Sequence, residues 1–409
     1  MKLRTLGIAI ATACSSLSVW SAETIDFWTP FTGPDGAFMQ KLVDDYNQQN
    51  QDFDVKMQVI PGDVYYEKIR TASRTGNGPL VSVVHADQIP GLAVAGLLTD
   101  VEDIAAEQGL TGDKYIKAAW DIGVYKGNRY GIPLDVHPLV MYYNKDIVEQ
   151  YDLNVPTTYE ALISESKKIT DANTHGFALP TIWPTNLVFR TAMLQNGEDV
   201  INSDGRRSNV NGEVGLKAAQ KIEALWKTEQ IAPAKLQRDG HIVLFKQGKA
   251  AFTIDGIWMS QGFTDAKVNY AVAPMTTLFG DTPAVWANSH QLTMLENSKA
   301  DDATKVAAID FIKYLSEHGV EWAKANMIPA SLEVINSAEF QQLPIPSTAA
   351  KQMDHLKLAP QVDTWIDIWT SVESHLSDGL LGNTPLPKAL DRAAKEGNQK
   401  AAETLEYME

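Results

Sequence analysis

Aromatic rings and carboxylates recur in this sequence where apolar runs end. Trp28 and Phe31 follow the alternating run Thr24 to Phe27. Asp87 follows Val83-Val84-His85-Ala86, and Asp135 and His137 stand between Pro133 and Pro138. Trp183 lies in Ile182-Trp-Pro-Thr-Asn186. Asp255 and Trp258 follow Ala250 to Ile254, and Trp286, Asn288 and His290 share one short stretch. An ionised carboxylate accepts two hydrogen bonds and can bridge neighbouring hydroxyls. An indole adds a large flat apolar face at little entropic cost. Asparagine and histidine both donate and accept. On loops at strand ends, this mixture suits a ligand with fixed hydroxyls and weakly apolar C–H faces, as a saccharide has. Asp35, Asp87, Asp135 and Asp255 together with tryptophans would also suit a polyamine.

Each candidate also has a structural reading. Trp28 and Phe31 can fill a core at a strand end. Asp35 is expected to cap the following helix, and Asp87 and Asp255 can do the same elsewhere. Asp135 and His137 can bond to one another at a bend. His85 reads as a structural neighbour of Asp87. Tyr142 and Tyr143 point to opposite faces of a strand, and both are expected in the core. Trp365 and Trp369 lie one helical turn apart, a spacing that usually marks core. Asn186 can assist Trp183, whereas Arg190 can pair with a carboxylate close to it. No Gly-x-Ser-x-Gly elbow, His-Glu-x-x-His helix or phosphate loop occurs. A glycosidase, which needs two carboxylates about one bond, remains the alternative from another functional class. No cofactor and no metal site is expected.

Bulk properties narrow the field. A chain of 409 residues is too long for one core and implies about two domains. Its formal charge of −16 becomes −18 without Lys2 and Arg4, and no basic run offers a face to nucleic acid. Lys2 and Arg4 precede the short apolar run Leu6 to Ala13, which reads as an export signal over residues 1–21, cut near Ser21 or Ala22. The single cysteine, Cys14, lies inside it. It is either a small apolar leader residue or, after Ala11-Thr12-Ala13, the lipid-anchored first residue. A chain cut near Ser21 has no thiol for disulfides, thiolate zinc sites or cysteine catalysis.

Periodicity supplies the elements that position these residues. Strands are expected over Thr24 to Trp28, Phe53 to Val59, Pro79 to Ala86, Leu139 to Tyr143, Gly176 to Pro180, Ala250 to Ile254, Asn269 to Pro274 and Gln291 to Leu295. Helices are expected over Phe38 to Tyr46, Tyr65 to Thr75, Gly215 to Trp226 and Ala303 to Leu315. A capping box formed by Thr157 and Glu160 opens another. The tail from Pro360 reads as helical apart from a loop near Gly379 to Pro387. Alternating strands and helices imply mostly parallel α/β sheets covered on both faces. Periodicity leaves open whether two sheets sit side by side or are threaded together.

Four segments carry a resemblance. They are Arg129-Tyr-Gly-Ile-Pro-Leu-Asp-Val-His-Pro-Leu-Val-Met-Tyr-Tyr-Asn-Lys-Asp146, Val155-Pro-Thr-Thr-Tyr159, Leu244-Phe-Lys-Gln-Gly-Lys-Ala-Ala-Phe-Thr-Ile-Asp-Gly-Ile-Trp258 and Trp286-Ala-Asn-Ser-His-Gln291. In order and spacing they resemble the family 1 extracellular solute-binding proteins, the maltose-binding-protein-like receptors of sugar ABC importers. The resemblance implies a periplasmic-binding-protein-like fold of two α/β lobes. Lobe 1 would take 22–132 and 286–330, and lobe 2 would take 138–281 and 336–409. Hinge crossovers would fall at 133–137, 282–285 and 331–335, and the ligand would lie in the cleft between lobes. It further implies a non-enzymatic, monomeric, periplasmic protein that passes a sugar to importer permease subunits in the membrane. It places a ligand group at Asp87 and at the Asp255–Trp258 turn, and with the readings above the residues expected against the ligand are Trp28, Phe31, Asp87, Asp135, His137, Trp183, Asp255, Trp258, Trp286, Asn288 and His290.

Overall fold

A computed structural model of the chain describes residues 23–50, 52–171, 173–297 and 300–408. The expected export segment and Cys14 lie outside the described residues. Strand β1 (Glu23–Thr29) forms because Ile25 and Phe27 alternate with polar residues, and both are fully buried. Phe27 meets Phe311 edge-on, ring centres 5.2 Å apart. Burying a ring of that size contributes about 2 kcal/mol. Helix α1 (Asp35–Gln49) follows, then β2 (Phe53–Val59) and β3 (Val81–His85). Strands β4 (Ile132–Pro133), β5 (Asp135–Asn144) and β6 (His175–Ala178) lead to α2 (Thr185–Gln195). Next come β7 (Ala250–Gly256), β8 (Tyr270–Ala273), β9 (Val285–Asn288) and β10 (His290–Met294). The last third holds α3 (Asp302–Glu317), β11 (Ile328–Pro329), β12 (Leu356–Lys357), α4 (Trp365–Leu380) and α5 (Leu386–Met408).

These strands form two main sheets. The five-stranded sheet has the order β2-β1-β3-β10-β4. Its β1 runs parallel to β2 and β3, whereas β10 runs antiparallel to β3 and β4. The seven-stranded sheet has the order β12-β9-β5-β7-β6, with β8 and β11 also pairing with β5. The long β5 is almost wholly buried, which its run of Val136, Leu139, Val140 and Met141 requires. The sheets are mixed and not mostly parallel as expected, since β5 runs antiparallel to β7, β8, β9 and β11; the fold is α/β with two sheet-and-helix lobes, threaded so that the chain leaves and re-enters each sheet.

Three local expectations shift. The passage back to the five-stranded sheet falls at Ser289 rather than at 282–285, because Ala287 and Asn288 first pair with Pro138 and His137 on β5. Thr158, not Thr157, caps its helix, accepting the Ala161 N–H at 3.2 Å. Asp35 is the first helical residue rather than the cap, and its carboxylate accepts the Gly36 N–H at 3.0 Å. At the third expected crossover, β11 pairs with β5 through Ile328–Val136 and Pro329–Asp135, and a short helix, Leu332–Ile335, follows. Among the described residues no helix is long and apolar enough to cross a membrane.

Candidate functional site

The ends of β3, β5, β7, β9 and β10 meet around a cleft of about 600 Å³. That volume lies in the range of small-molecule sites. Strand register explains the meeting. His290 stands opposite His85 on the β3–β10 ladder, and Asn288 stands opposite His137 on the β9–β5 ladder. One histidine of each sheet thereby reaches the same floor as a third. Ring centres are 4.2 Å apart for His137 and His290, and 4.8 Å for His85 and His290.

Tryptophans make the walls. Trp258 follows β7 in a tight turn, and its ring folds back over Gly256. A β-carbon at Gly256 would lie 2.0 Å from that ring, so only glycine permits the approach. Trp183 and Trp286 each lie 6.1 Å from Trp258, the first tilted at 30° and the second at 79°. Trp369, on α4, lines the same cleft and stacks on Trp365 at 5.4 Å and 9°. The Arg190 guanidinium lies over Trp365 and takes Asp199 in a two-pronged pair at 2.8 Å, so Arg190 serves this part of the chain and not the cleft.

Eight of the expected residues line the cleft: Phe31, Asp87, His137, Trp183, Trp258, Trp286, Asn288 and His290. Asn288 donates to the Asp87 carboxylate at 3.1 Å, and Phe31 packs edge-on against His290 at 5.0 Å. Three expected residues do not line it. Trp28 turns to the other side of β1 and packs in a separate apolar cluster beside Tyr65, whose hydroxyl donates to the Trp28 carbonyl at 2.8 Å. Asp255 is fully buried, 2.7 Å from His241 Nε2, and accepts the Gly256 N–H. Asp135 is fully buried beneath the floor, bonded to His137 Nδ1 at 3.0 Å, His290 Nδ1 at 2.8 Å and Trp322 Nε1 at 2.8 Å. It fixes the histidines and the indole instead of facing the cleft.

Sequence reasoning missed Glu373, and it read Asp35, His85 and Trp369 as structural although all four line the cleft. The signal for Glu373 was its place four residues after Trp369, which puts both on one helical face. Asn186, on α2, donates to Glu373 in a short hydrogen bond.

The electrostatics of the cleft are one-sided. Asp35, Asp87 and Glu373 line it, and no lysine or arginine does among the described residues. Burial raises the Asp35 carboxyl above its usual range despite the nearby His290. Burial likewise raises Asp87, partly offset by Asn288. Burial, then the charge of Asp87, push Glu373 up to about 7 against the bonds from Trp369 and Asn186. On the floor, burial and His290 lower His137 to about 4, and burial with the other two histidines lowers His85. Burial disfavours the Asp135 charge, but His290 and His137 outweigh it and hold the carboxyl below its ordinary value. The arrangement can place neutral and anionic acceptors, amide and imidazole donors and four indole faces around one ligand.

Residues 32–322 match the family described as bacterial extracellular solute-binding protein. The chain is 28% identical over 367 residues to the maltooligosaccharide ABC transporter solute-binding lipoprotein of Streptococcus pneumoniae, covering 83% of this chain and 81% of that protein. It is 24% identical to the galactooligosaccharide-binding protein of Bacillus subtilis, covering 84% and 83%. Among solved structures, the maltotriose-bound maltose/maltodextrin-binding domain of Bdellovibrio bacteriovorus superposes with TM-score 0.80 at 21% identity, over 92% of this chain and 99% of that one. A substrate-binding protein of Listeria monocytogenes in complex with cycloalternan gives TM-score 0.81 at 22% identity, over 93% and 100%.

Proposed function

From the premise that this chain belongs to the bacterial extracellular solute-binding proteins, we propose that it captures a saccharide in the interlobe cleft and delivers it to an ABC importer. The observation that carries this is the lining: Trp183, Trp258, Trp286 and Trp369 surround Asp87, Asn288 and Glu373 in one cavity. Indole faces pack on sugar C–H patches, and the polar groups meet hydroxyls. The oligosaccharide partners of the relatives support the same ligand class.

Lobe 1 is proposed as 23–132 with the segment from His290 to about 327, and lobe 2 as 138–288 with 336–408. Residues around Leu134, Ser289 and Pro329 serve as the hinge. Open and closed forms interconvert, and a ligand that touches both lobes only when they are closed shifts the population towards closure. The closed, loaded protein then docks on the permease subunits. The protein acts in the periplasm as a monomer, with lipid attachment through Cys14 the alternative mode of retention. Its net charge of −16 disfavours nucleic acid. It returns its ligand intact, so incubation with oligosaccharides should yield no cleavage products. A thermal-shift screen of mono-, di- and trisaccharides tests the reading. A rise in melting temperature with at least one saccharide is expected, and none across a broad panel sinks it.

The acidic cleft favours one further arm. With Asp35, Asp87 and Glu373 and, among the described residues, no lining lysine or arginine, a polyamine is chemically suited as well, and spermidine belongs in the same screen.

A further inference from the structure

We propose that His85, His137 and His290 bind a divalent transition-metal ion of the zinc class on the cleft floor. One ring nitrogen of each lies within 4.8 Å of one from each of the others. The rings come from β3, β5 and β10, so both sheets contribute. Each ring is anchored through Nδ1. His85 Nδ1 is 2.6 Å from the Tyr66 hydroxyl, His137 Nδ1 is 3.0 Å from the Asp135 carboxylate, and His290 Nδ1 is 2.8 Å from it. Among the described residues no hydrogen bond engages Nε2 of any of the three, and all three rings line the cleft.

Metal-binding imidazoles are held in this way. A metal-ligating imidazole binds through one nitrogen while the other donates to a carboxylate or another acceptor, which fixes the tautomer and aims the ring. Asp135 supplies that acceptor twice, and the Trp322 indole N–H pins it from below at 2.8 Å. At His85 the Nδ1 pairs with the Tyr66 hydroxyl, whose oxygen accepts the His85 backbone N–H at 3.0 Å, and binding a metal through Nε2 sets the tautomer in which Nδ1–H donates to that oxygen. A purely structural role, in which imidazoles neutralise a buried carboxylate, accounts for His137 and His290. It does not extend to His85, which makes no bond to Asp135 and pairs with Tyr66 instead. Three imidazoles sharing one floor with their Nε2 atoms unused are brought into one favourable arrangement by a cation.

Three imidazoles and one position open to the cleft suit zinc, cobalt or nickel. Zinc–nitrogen bonds of about 2.0–2.1 Å set tetrahedral ligand nitrogens about 3.4 Å apart. The rings therefore draw together when the metal binds. Because His137 belongs to the seven-stranded sheet and the other two to the five-stranded sheet, the ion ties the sheets across the hinge. Water or a ligand oxygen from the cleft takes the fourth position.

The test uses full-length protein without a polyhistidine tag, freed of metal by chelator and titrated with Zn²⁺ or Co²⁺ in the absence of saccharide. The proposal predicts one equivalent bound, with the visible absorption of tetrahedral cobalt. In His85→Gln and in His290→Gln the affinity should fall at least about tenfold, the lower end of what even an outer partner's loss costs. Circular dichroism reports whether each variant folds. His85 lies away from the Asp135 bonds, so His85→Gln decides the matter if His290→Gln does not fold. Absence of binding by the native protein overturns the proposal, as does undiminished binding by His85→Gln, which would place the ion elsewhere. A protein that binds saccharide but no metal refutes this site and leaves the saccharide reading standing.

Discussion

Glu373→Gln isolates what the cleft's acidity costs the fold. Burial pushes the Glu373 carboxyl up to about 7 in the folded protein, against an ordinary value of 4.5. That gap corresponds to roughly 3 kcal/mol between its charged and neutral forms. The folded chain holds a proton there that the unfolded chain releases from pH 4.5 upwards. Stability is therefore whole below 4.5, falls as pH rises towards about 7, and stays reduced by up to roughly 3 kcal/mol above it. Glutamine has nearly the same shape and cannot ionise, and its carbonyl can still accept from Asn186. The variant should match the native protein within about 1 kcal/mol at pH 4.5 and exceed it by roughly 2–3 kcal/mol at pH 8. Urea unfolding at pH 4.5, 6 and 8 measures the difference. A gap between the two proteins that does not change with pH, or a native protein that is the more stable at pH 8, would refute the burial argument. Glu373 lines the cleft, where its carboxyl can meet a ligand hydroxyl, so the same variant should bind its ligand more weakly.

Other outcomes follow from the same geometry. Trp258→Ala should weaken ligand binding at least about tenfold, roughly 1.4 kcal/mol, with the unfolding midpoint little changed, as calorimetry and thermal melts would report. Gly256→Ala should likewise reduce affinity by displacing the Trp258 ring, which would sit 2.0 Å from the new methyl; unchanged affinity would mean that the ring's place does not matter. Asp135→Ala should destabilise the protein by about 3–5 kcal/mol, because it leaves two imidazoles and the Trp322 N–H without their buried acceptor. Chemical unfolding would show it, and a loss below about 1 kcal/mol would contradict the bonding described.

Much of the architecture can be read from residue order. Ile25 and Phe27 alternate because β1 has one buried face, and Ala303 to Leu315 repeats at helical spacing because α3 covers that face. Trp183 and Trp258 are legible as cleft-lining residues, since each is an indole placed just past a strand among turn formers. Side-chain direction at a strand end is harder. Asp135 and Asp255 occupy positions adjacent to the cleft, yet both point inward. What settles this is a partner distant in sequence, Trp322 and His290 for the first and His241 for the second. Trp28 turns away because β1 alternates through it towards Tyr65. Glu373 and Trp369 were hidden for the opposite reason: their helix looks like ordinary core until it is packed across the cleft. The three histidines are separated by long stretches of chain, and only the β3–β10 register and the passage at Ser289 bring them together.

These indoles and polar groups are proposed to hold a saccharide. Calorimetric titration of the native protein and Trp258→Ala with a saccharide series, and with spermidine alongside, tests it most directly. The native protein should bind one saccharide per chain, the variant at least about tenfold more weakly, and spermidine should give no comparable heat. Tight spermidine binding with no saccharide response, or saccharide binding that Trp258→Ala leaves untouched, would contradict it.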